Sequence, residues 1–121
     1  IVESSFGIDS GAEAAAKLMA QDPPPTGLFA VNDNTAIGAL STLTRLGLSV
    51  PDDVSLVGYN DIPIVSRLPI PLTSVRVPFD QIASAAIELL DAMPTDENLR
   101  TRVAMPTLIP RRSTGPRRTP K

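Results

Sequence analysis

Two short apolar segments separated by a helical pattern constrain this fold more than any other feature. Residues 27–31 (GLFAV) and 54–59 (VSLVGY) are too short for buried helices and indicate strands buried on both faces. The apolar residues between them recur with helical spacing: Ala36, Ile37, Leu40, Leu43 and Leu46. Residues 27–59 therefore predict a strand–helix–strand unit with parallel strands and a right-handed crossover.

The same unit predicts a binding site at one edge of its sheet. Ligands of open parallel sheets bind outside the carboxyl ends of the strands. Asn32 and Asp33 follow the first predicted strand, and Asn60 and Asp61 follow the second. The first pair alone is also explained by a helix N-cap, which would be Asp33, and its neighbour, but the matching second pair favours a site. Amides and carboxylates suit vicinal hydroxyls, so the expected ligand is sugar-like.

The remaining segments continue the alternation of helices and strands. Apolar spacing and proline positions predict two helices and two extended segments: 10–21, 79–92, 73–77 and 102–109. The first helix opens with the capping-box pattern Ser10-Gly11-Ala12-Glu13, and residues 62–71 are expected to form an irregular loop. The predicted class is α/β with a parallel sheet.

Histidine and cysteine are both absent from the sequence. Their absence excludes a Ser-His-Asp triad, a cysteine nucleophile, disulfides and histidine- or thiolate-bound metals. The acidic residues show no calcium-loop spacing, and no phosphate-binding glycine motif is present. We therefore expect no metal, no cofactor and no enzyme activity. An α/β enzyme acting through Asp33 or Asp61 remains as a minor alternative.

Charge is distributed unevenly along the chain. Residues 1–110 hold six basic and thirteen acidic residues, a net charge of −7, and five basic residues fall in the last eleven positions. An acidic body does not suit a phosphate backbone, so we expect no specific DNA binding by this chain. Residues 115–121 are expected to form a disordered basic tail. No uncharged run is long enough to span a membrane, so no membrane partner is expected.

Several motifs together resemble the effector domain of the lactose-repressor/galactose-repressor (LacI/GalR) family. The matching segments are 25–33 (PTGLFAVND), 36–40 (AIGAL), 47–61 (GLSVPDDVSLVGYND), 71–75 (PLTSV) and 111–114 (RRST). Their order and spacing agree from about residue 6 to residue 114.

This resemblance implies a periplasmic-binding-protein-like (type I) effector domain, a three-layer sandwich of which the chain is the last part. Residues 1–78, rejoined by 107–114, would belong to the C-terminal lobe, and residues 79–106, with a strand near 102–105, to the N-terminal lobe. The family's helix-turn-helix and hinge, and the first strands of both lobes, would lie outside this chain.

The resemblance also implies particular roles for individual residues. Phe6 would stack on the effector, although core packing is the alternative for this residue, and Asn32 would hydrogen-bond to the effector. Asn60 stands where the family usually has aspartate, which keeps an acceptor, gains a donor and loses the charge. Asp33 and Asp61 would support the site. The family's dimer contact would fall at Ile37, Ile62 and Ile64.

The implied function is the effector-binding and dimerisation part of a cytoplasmic DNA-binding transcriptional regulator, with a repressor expected. Its partners would be a sugar-like small molecule, a second copy of the protein, and operator DNA bound through an N-terminal domain that this chain lacks. The alternative is a periplasmic sugar-binding protein of an ABC transporter. The sequence of residues 50–61 (VPDDVSLVGYND) favours the regulator over the transport protein.

Overall fold

The structure is a computed structural model that describes residues 1–91 and 101–117. Its helices are α1 (Ile8–Met19), α2 (Asp33–Arg45), α3 (Phe79–Asp91) and a short 3-10 helix (Pro63–Ser66). Its strands are β1 (Gly27–Phe29), β2 (Ser55–Asn60), β3 (Thr73–Arg76) and β4 (Thr107–Ile109). None of the helices in the described ranges is long and apolar enough to cross a membrane.

The strands form one sheet in the order β1-β2-β3-β4. The first three are parallel, with Phe29 opposite Val57 and Val57 opposite Thr73, and β4 returns antiparallel to β3. The predicted strand–helix–strand unit and the α/β class are therefore confirmed. The sheet is therefore mixed, since β4, which follows α3 in the chain, pairs antiparallel with β3.

The core lies between the sheet and the helix pair α1 and α2. It is aliphatic, as a chain with 3% aromatic residues requires, and its buried members include Ala15, Ala36, Ala39, Leu43, Val54, Leu56, Val65 and Leu72. A side chain at Gly38 of α2 would collide with the backbone carbonyl of Ile8. This glycine therefore allows α1 and α2 to approach closely.

Helix α1 differs from its prediction at both ends. It begins at Ile8 instead of residue 10, and Gly7 takes the N-cap position without a side-chain cap bond. The capping box at Ser10 is wrong: its hydroxyl lies inside the first turn, 2.9 Å from the Ser5 carbonyl oxygen and 3.0 Å from that of Gly7. The helix ends at Met19, before the prolines at 23–25.

The later segments also differ from prediction. Residues 101–106 contain no strand, and strand structure begins only at Thr107, where β4 meets β3. The strand implied near 102–105 is therefore not found. None of the residues of α3 is buried. The predicted end of this helix at residue 92 and Pro94 lie outside the described residues, as do residues 118–121 of the tail.

Candidate functional site

Asn32 joins the end of β1 to the start of α2. Its backbone is extended, and its Oδ1 accepts a hydrogen bond from the Thr35 amide at 2.8 Å, so it is the N-cap of α2. Its Nδ2 donates to the carbonyl oxygen of Phe6 at 3.1 Å. Asn32 and Phe6 are therefore neighbours, and the Asn32 amide keeps one N–H and one lone pair for a ligand.

The side chain of Phe6 is not part of the core. It is 69% exposed, so the alternative of simple core packing is wrong. It borders an apolar cavity of about 380 Å³ together with Leu28, Val31 and Leu56. An exposed ring beside an apolar cavity is available to stack on a ligand face.

Asp33 has a different role from the helix cap that the sequence suggested. Its side chain is fully buried: Oδ1 accepts from the Ser74 hydroxyl at 2.6 Å and Oδ2 from the Ile62 amide at 2.8 Å. A side chain at Gly58 would fall on Asp33 Oδ1. Through its bond to the Ile62 amide, Asp33 thus holds the loop after β2 in place. Both of its oxygens accept from protein donors inside the core, so its contacts in this structure are structural.

Asn60 and Asp61 form the turn at the end of β2. Both have positive φ, 105° and 61°, a conformation that asparagine and aspartate tolerate better than most residues. Asp61 is held by two arginines: its Oδ2 lies 2.7 Å from Nε and Nη2 of Arg76, and its Oδ1 lies 2.6 Å from Nη1 of Arg111.

The arginines control the ionisation of Asp61. Burial of the carboxyl group raises its pKa, but the hydrogen bonds from Arg111 and Arg76 and their positive charges lower it more, and the net pKa lies below its ordinary value. Asp61 is therefore ionised at neutral pH, which makes it a poor general acid or base there.

Asn60 borders a cavity of about 500 Å³. The lining includes Asp61, Arg76, Phe79 and Gln81, so the cavity lies between the end of β2 and the start of α3. Asn60 itself is half-buried. An amide that lines a cavity of this size can donate to and accept from a small ligand.

The structure thus brings the predicted residues to one end of the sheet, in two groups. Asn32 and Asn60 each lie three residues beyond the paired Phe29 and Val57, at the same edge. Phe6 and Asn60, however, line different cavities, and Asn32 lines neither of these two. The described ranges contain no cluster of three or more acidic residues that could hold a metal ion.

Sequence reasoning missed the residues that fasten the turn after β2. Ser74, Arg76 and Arg111 come from β3 and from the segment after β4, and nothing in their local sequence indicates contact with Asp61. The RRST segment is structural, since the buried Ser113 hydroxyl donates to the Leu56 carbonyl at 2.6 Å and accepts from the Thr73 amide at 2.8 Å. The opposite charges of Asp61 and these arginines are the one feature of the sequence that could have suggested that they pair.

The three residues expected at a dimer contact differ in exposure. Ile64 is 49% exposed, in the 3-10 helix after β2. Ile37 and Ile62 are partly buried and pack against the core. Ile64 is therefore the residue of this group most available to a partner.

Comparison with known proteins gives a consistent result. The periplasmic binding protein-like domain family matches residues 2–114. The HTH-type transcriptional repressor PurR of Photobacterium profundum is 35% identical over 115 residues, which are 93% of this chain and 34% of that protein. A lactose operon repressor of Rhizobium radiobacter is 34% identical over 82% of this chain and 88% of its own length.

A solved structure shows the same fold. The LacI family transcriptional regulator from Enterococcus faecium, with bound ribose, superposes with a TM-score of 0.80 at 28% identity, over 95% of this chain and 43% of that chain. The present chain thus spans about a third of the PurR relative and less than half of this structure.

Proposed function

This chain belongs to the LacI/GalR family of transcription regulators, as part of their periplasmic binding protein-like domain, and from this premise we propose that it forms the effector-binding and dimerisation part of a repressor that responds to a sugar-like molecule. The observation that carries the proposal is Asn60, an amide at the carboxyl end of a parallel strand and at the rim of a cavity of about 500 Å³.

The chemistry around Asn60 supports a neutral, hydroxyl-rich ligand. The two arginines at Asp61 exceed its charge by one, and Asp80, which also lines the cavity, balances that excess, so the formal charges of these four residues sum to zero. Asn32 and the exposed ring of Phe6 lie at the same end of the sheet but outside the cavity that Asn60 lines, so they would supply a second hydrogen bond and an apolar wall to a ligand that extends beyond that cavity. The ribose bound in the E. faecium regulator is the kind of molecule that such groups accommodate.

The lobe assignment is part of the proposal. Residues 1–78 and 107–114 would form one lobe, which the pairing of β4 with β3 supports. Residues 79–106 would belong to the other lobe, which the absence of buried residues in α3 supports, since a helix with an unburied apolar stripe needs another surface to cover it. Asn60 and Phe79 would then face each other across the cleft between lobes.

The partners follow from the same family membership. A second copy would dock on the surface around Ile37, Ile62 and Ile64. Operator DNA would be bound in the cytoplasm by an N-terminal domain outside this chain, and ligand binding would shift the lobe arrangement and the DNA-binding heads with it. The alternative of a periplasmic transport protein has less support, because the matched relatives named above are repressors.

Titration calorimetry of the 121-residue chain with D-ribose, D-glucose and lactose tests the proposal. Asn60→Ala should weaken binding of the best sugar roughly ten- to a hundredfold, because a lost hydrogen bond in a cavity costs about 1–3 kcal/mol. The matched control is Asn34→Ala, an exposed asparagine in the first turn of α2, which should bind as the wild type does. Equal affinity of the Asn60 variant would refute the site.

A further inference from the structure

The turn that presents Asn60 is conformationally unfavourable by itself. Asn60 and Asp61 are consecutive non-glycine residues with positive φ, and residues in such regions persist only where their surroundings hold them. The question is therefore which contacts hold this turn at the rim of the cavity.

The side chain of Asp61 is clamped from two directions. Arg76 is the last residue of β3, and Arg111 lies in the segment that follows β4. Only 2% of the Asp61 side chain is exposed, against 15% of Arg111 and 56% of Arg76. Arg111 is itself fixed, because its Nη1 also donates to the Leu72 carbonyl at 2.7 Å. Although Asp61 is among the residues that line the cavity, its carboxylate is paired with both arginines and only 2% exposed, so it is not the group that meets a ligand.

The backbone of the turn is fixed as well. The Asp61 amide donates to the Ser74 hydroxyl at 3.1 Å, and that hydroxyl donates to Asp33. The Ile62 amide donates to the other Asp33 oxygen. These bonds hold the residues that follow Asn60, whereas the Asn60 side chain is left at the cavity.

We propose that Asp61 is a positioning residue: without touching the ligand, it uses its ion pairs with Arg76 and Arg111 to hold the positive-φ turn that directs the Asn60 amide into the cavity. The inference rests on the proposed ligand role of Asn60. Arg111, in the RRST segment, would then influence ligand binding through Asp61 although it does not line the cavity. The rival explanation is that the three charges only stabilise the fold.

Nuclear magnetic resonance of the 15N-labelled chain tests the conformational half of the proposal without any ligand. The quantity measured is the three-bond coupling between the amide and α protons of Asn60, which depends on φ. Asp61→Asn should raise this coupling towards that of an extended residue, and Asp61→Glu should restore part of the wild-type value. Glu13→Gln, an exposed carboxylate of α1, is the control and should leave it unchanged.

Binding of D-ribose tests the recognition half. Asp61→Asn should weaken ribose binding about tenfold, Arg111→Gln should weaken it less because the Arg76 pair remains, and the double variant should be no weaker than Asp61→Asn, since loss of Asp61 already removes both ion pairs. If Asp61→Asn fails to fold, Arg76→Gln removes the most exposed partner and should give the same changes in coupling and affinity at smaller amplitude.

The outcomes separate this inference from the proposed function. An unchanged Asn60 coupling in a folded Asp61→Asn or Arg76→Gln variant, or unchanged ribose affinity in that variant, overturns the positioning role. If the wild-type chain binds neither ribose, glucose nor lactose, the proposed function fails, and the coupling of Asn60 still decides whether Asp61 holds the turn.

Discussion

At the scale of single residues, the first turn of α2 separates two roles that neighbouring polar side chains often share. Asn32 caps the helix through Thr35, whereas Asp33 is buried and bonds Ser74 and Ile62. The sequence suggested the reverse, with Asp33 as cap and Asn32 free for ligand. Both side chains can cap a helix through an oxygen, but only asparagine can also donate, as Asn32 does to the Phe6 carbonyl, and only the carboxylate accepts at both of its oxygens, as Asp33 does.

Alanine substitution should distinguish these roles by stability. Asn32→Ala should lower the free energy of unfolding by about 1 kcal/mol, the usual cost of a lost cap. Asp33→Ala should cost more, about 2–4 kcal/mol, because it leaves the Ile62 amide and the Ser74 hydroxyl without acceptors. Urea unfolding measures both, with Asn34→Ala as the control. A smaller loss for Asp33→Ala than for Asn32→Ala would contradict the assignment.

Asp61 predicts a dependence of stability on pH. Its folded-state pKa lies below the ordinary value of 3.8, so near that pH the unfolded chain binds more protons and stability rises with pH. The contribution is complete above the unfolded pKa and is lost as pH falls through the folded one. Asp61→Asn should therefore flatten the pH dependence of urea midpoints below about pH 4. An equally steep slope in that variant would show that other carboxyl groups cause it.

At the scale of elements, the contact between α1 and α2 depends on the small size of Gly38. Alanine normally favours a helix by up to about 1 kcal/mol over glycine. Here its methyl group would strike the Ile8 carbonyl, so Gly38→Ala should instead destabilise the chain by about 1–3 kcal/mol. Gly27→Ala, where the nearest atom is 4.0 Å away, is the control and should be tolerated. Thermal unfolding measures both, and a rise in Tm for Gly38→Ala would contradict the close approach.

The elements also show what a sequence can predict. The apolar runs and the helical spacing predicted β1, α2 and β2 correctly because these signals are local and strong. The placement of the polar residues at one edge of the sheet then followed from the topology of parallel strands. The start of α1 was missed because the Ser10 hydroxyl bonds back to Ser5 and Gly7 instead of capping. The arginines around Asp61 were missed because β3 and the segment after β4 bring them in from distant positions, and spacing along one element carries no information about such contacts.

At the scale of the whole molecule, exposed apolar side chains predict self-association. Phe29 and Val31 are 66% and 50% exposed beside the β1 edge, and Leu90 is 80% exposed on α3. Uncovered strand edges and apolar patches promote association. Sedimentation velocity should therefore show dimers or larger species at micromolar concentrations. Ile64→Asp should weaken dimers that use the proposed family contact, and Leu90→Asp those that use α3. A monomer across that concentration range would contradict the expectation.

The central claim is that a sugar-like ligand binds at the carboxyl ends of β1 and β2. The most direct measurement is a titration of the 15N-labelled chain with D-ribose, D-glucose and lactose, following every backbone and asparagine side-chain amide. The account predicts saturable shifts concentrated at Asn60 and its neighbours in the turn, with smaller shifts at Asn32 and Phe6, and none at the opposite end of the sheet near Ser55. Shifts centred elsewhere, or no saturable shift with any of the three sugars, would contradict it.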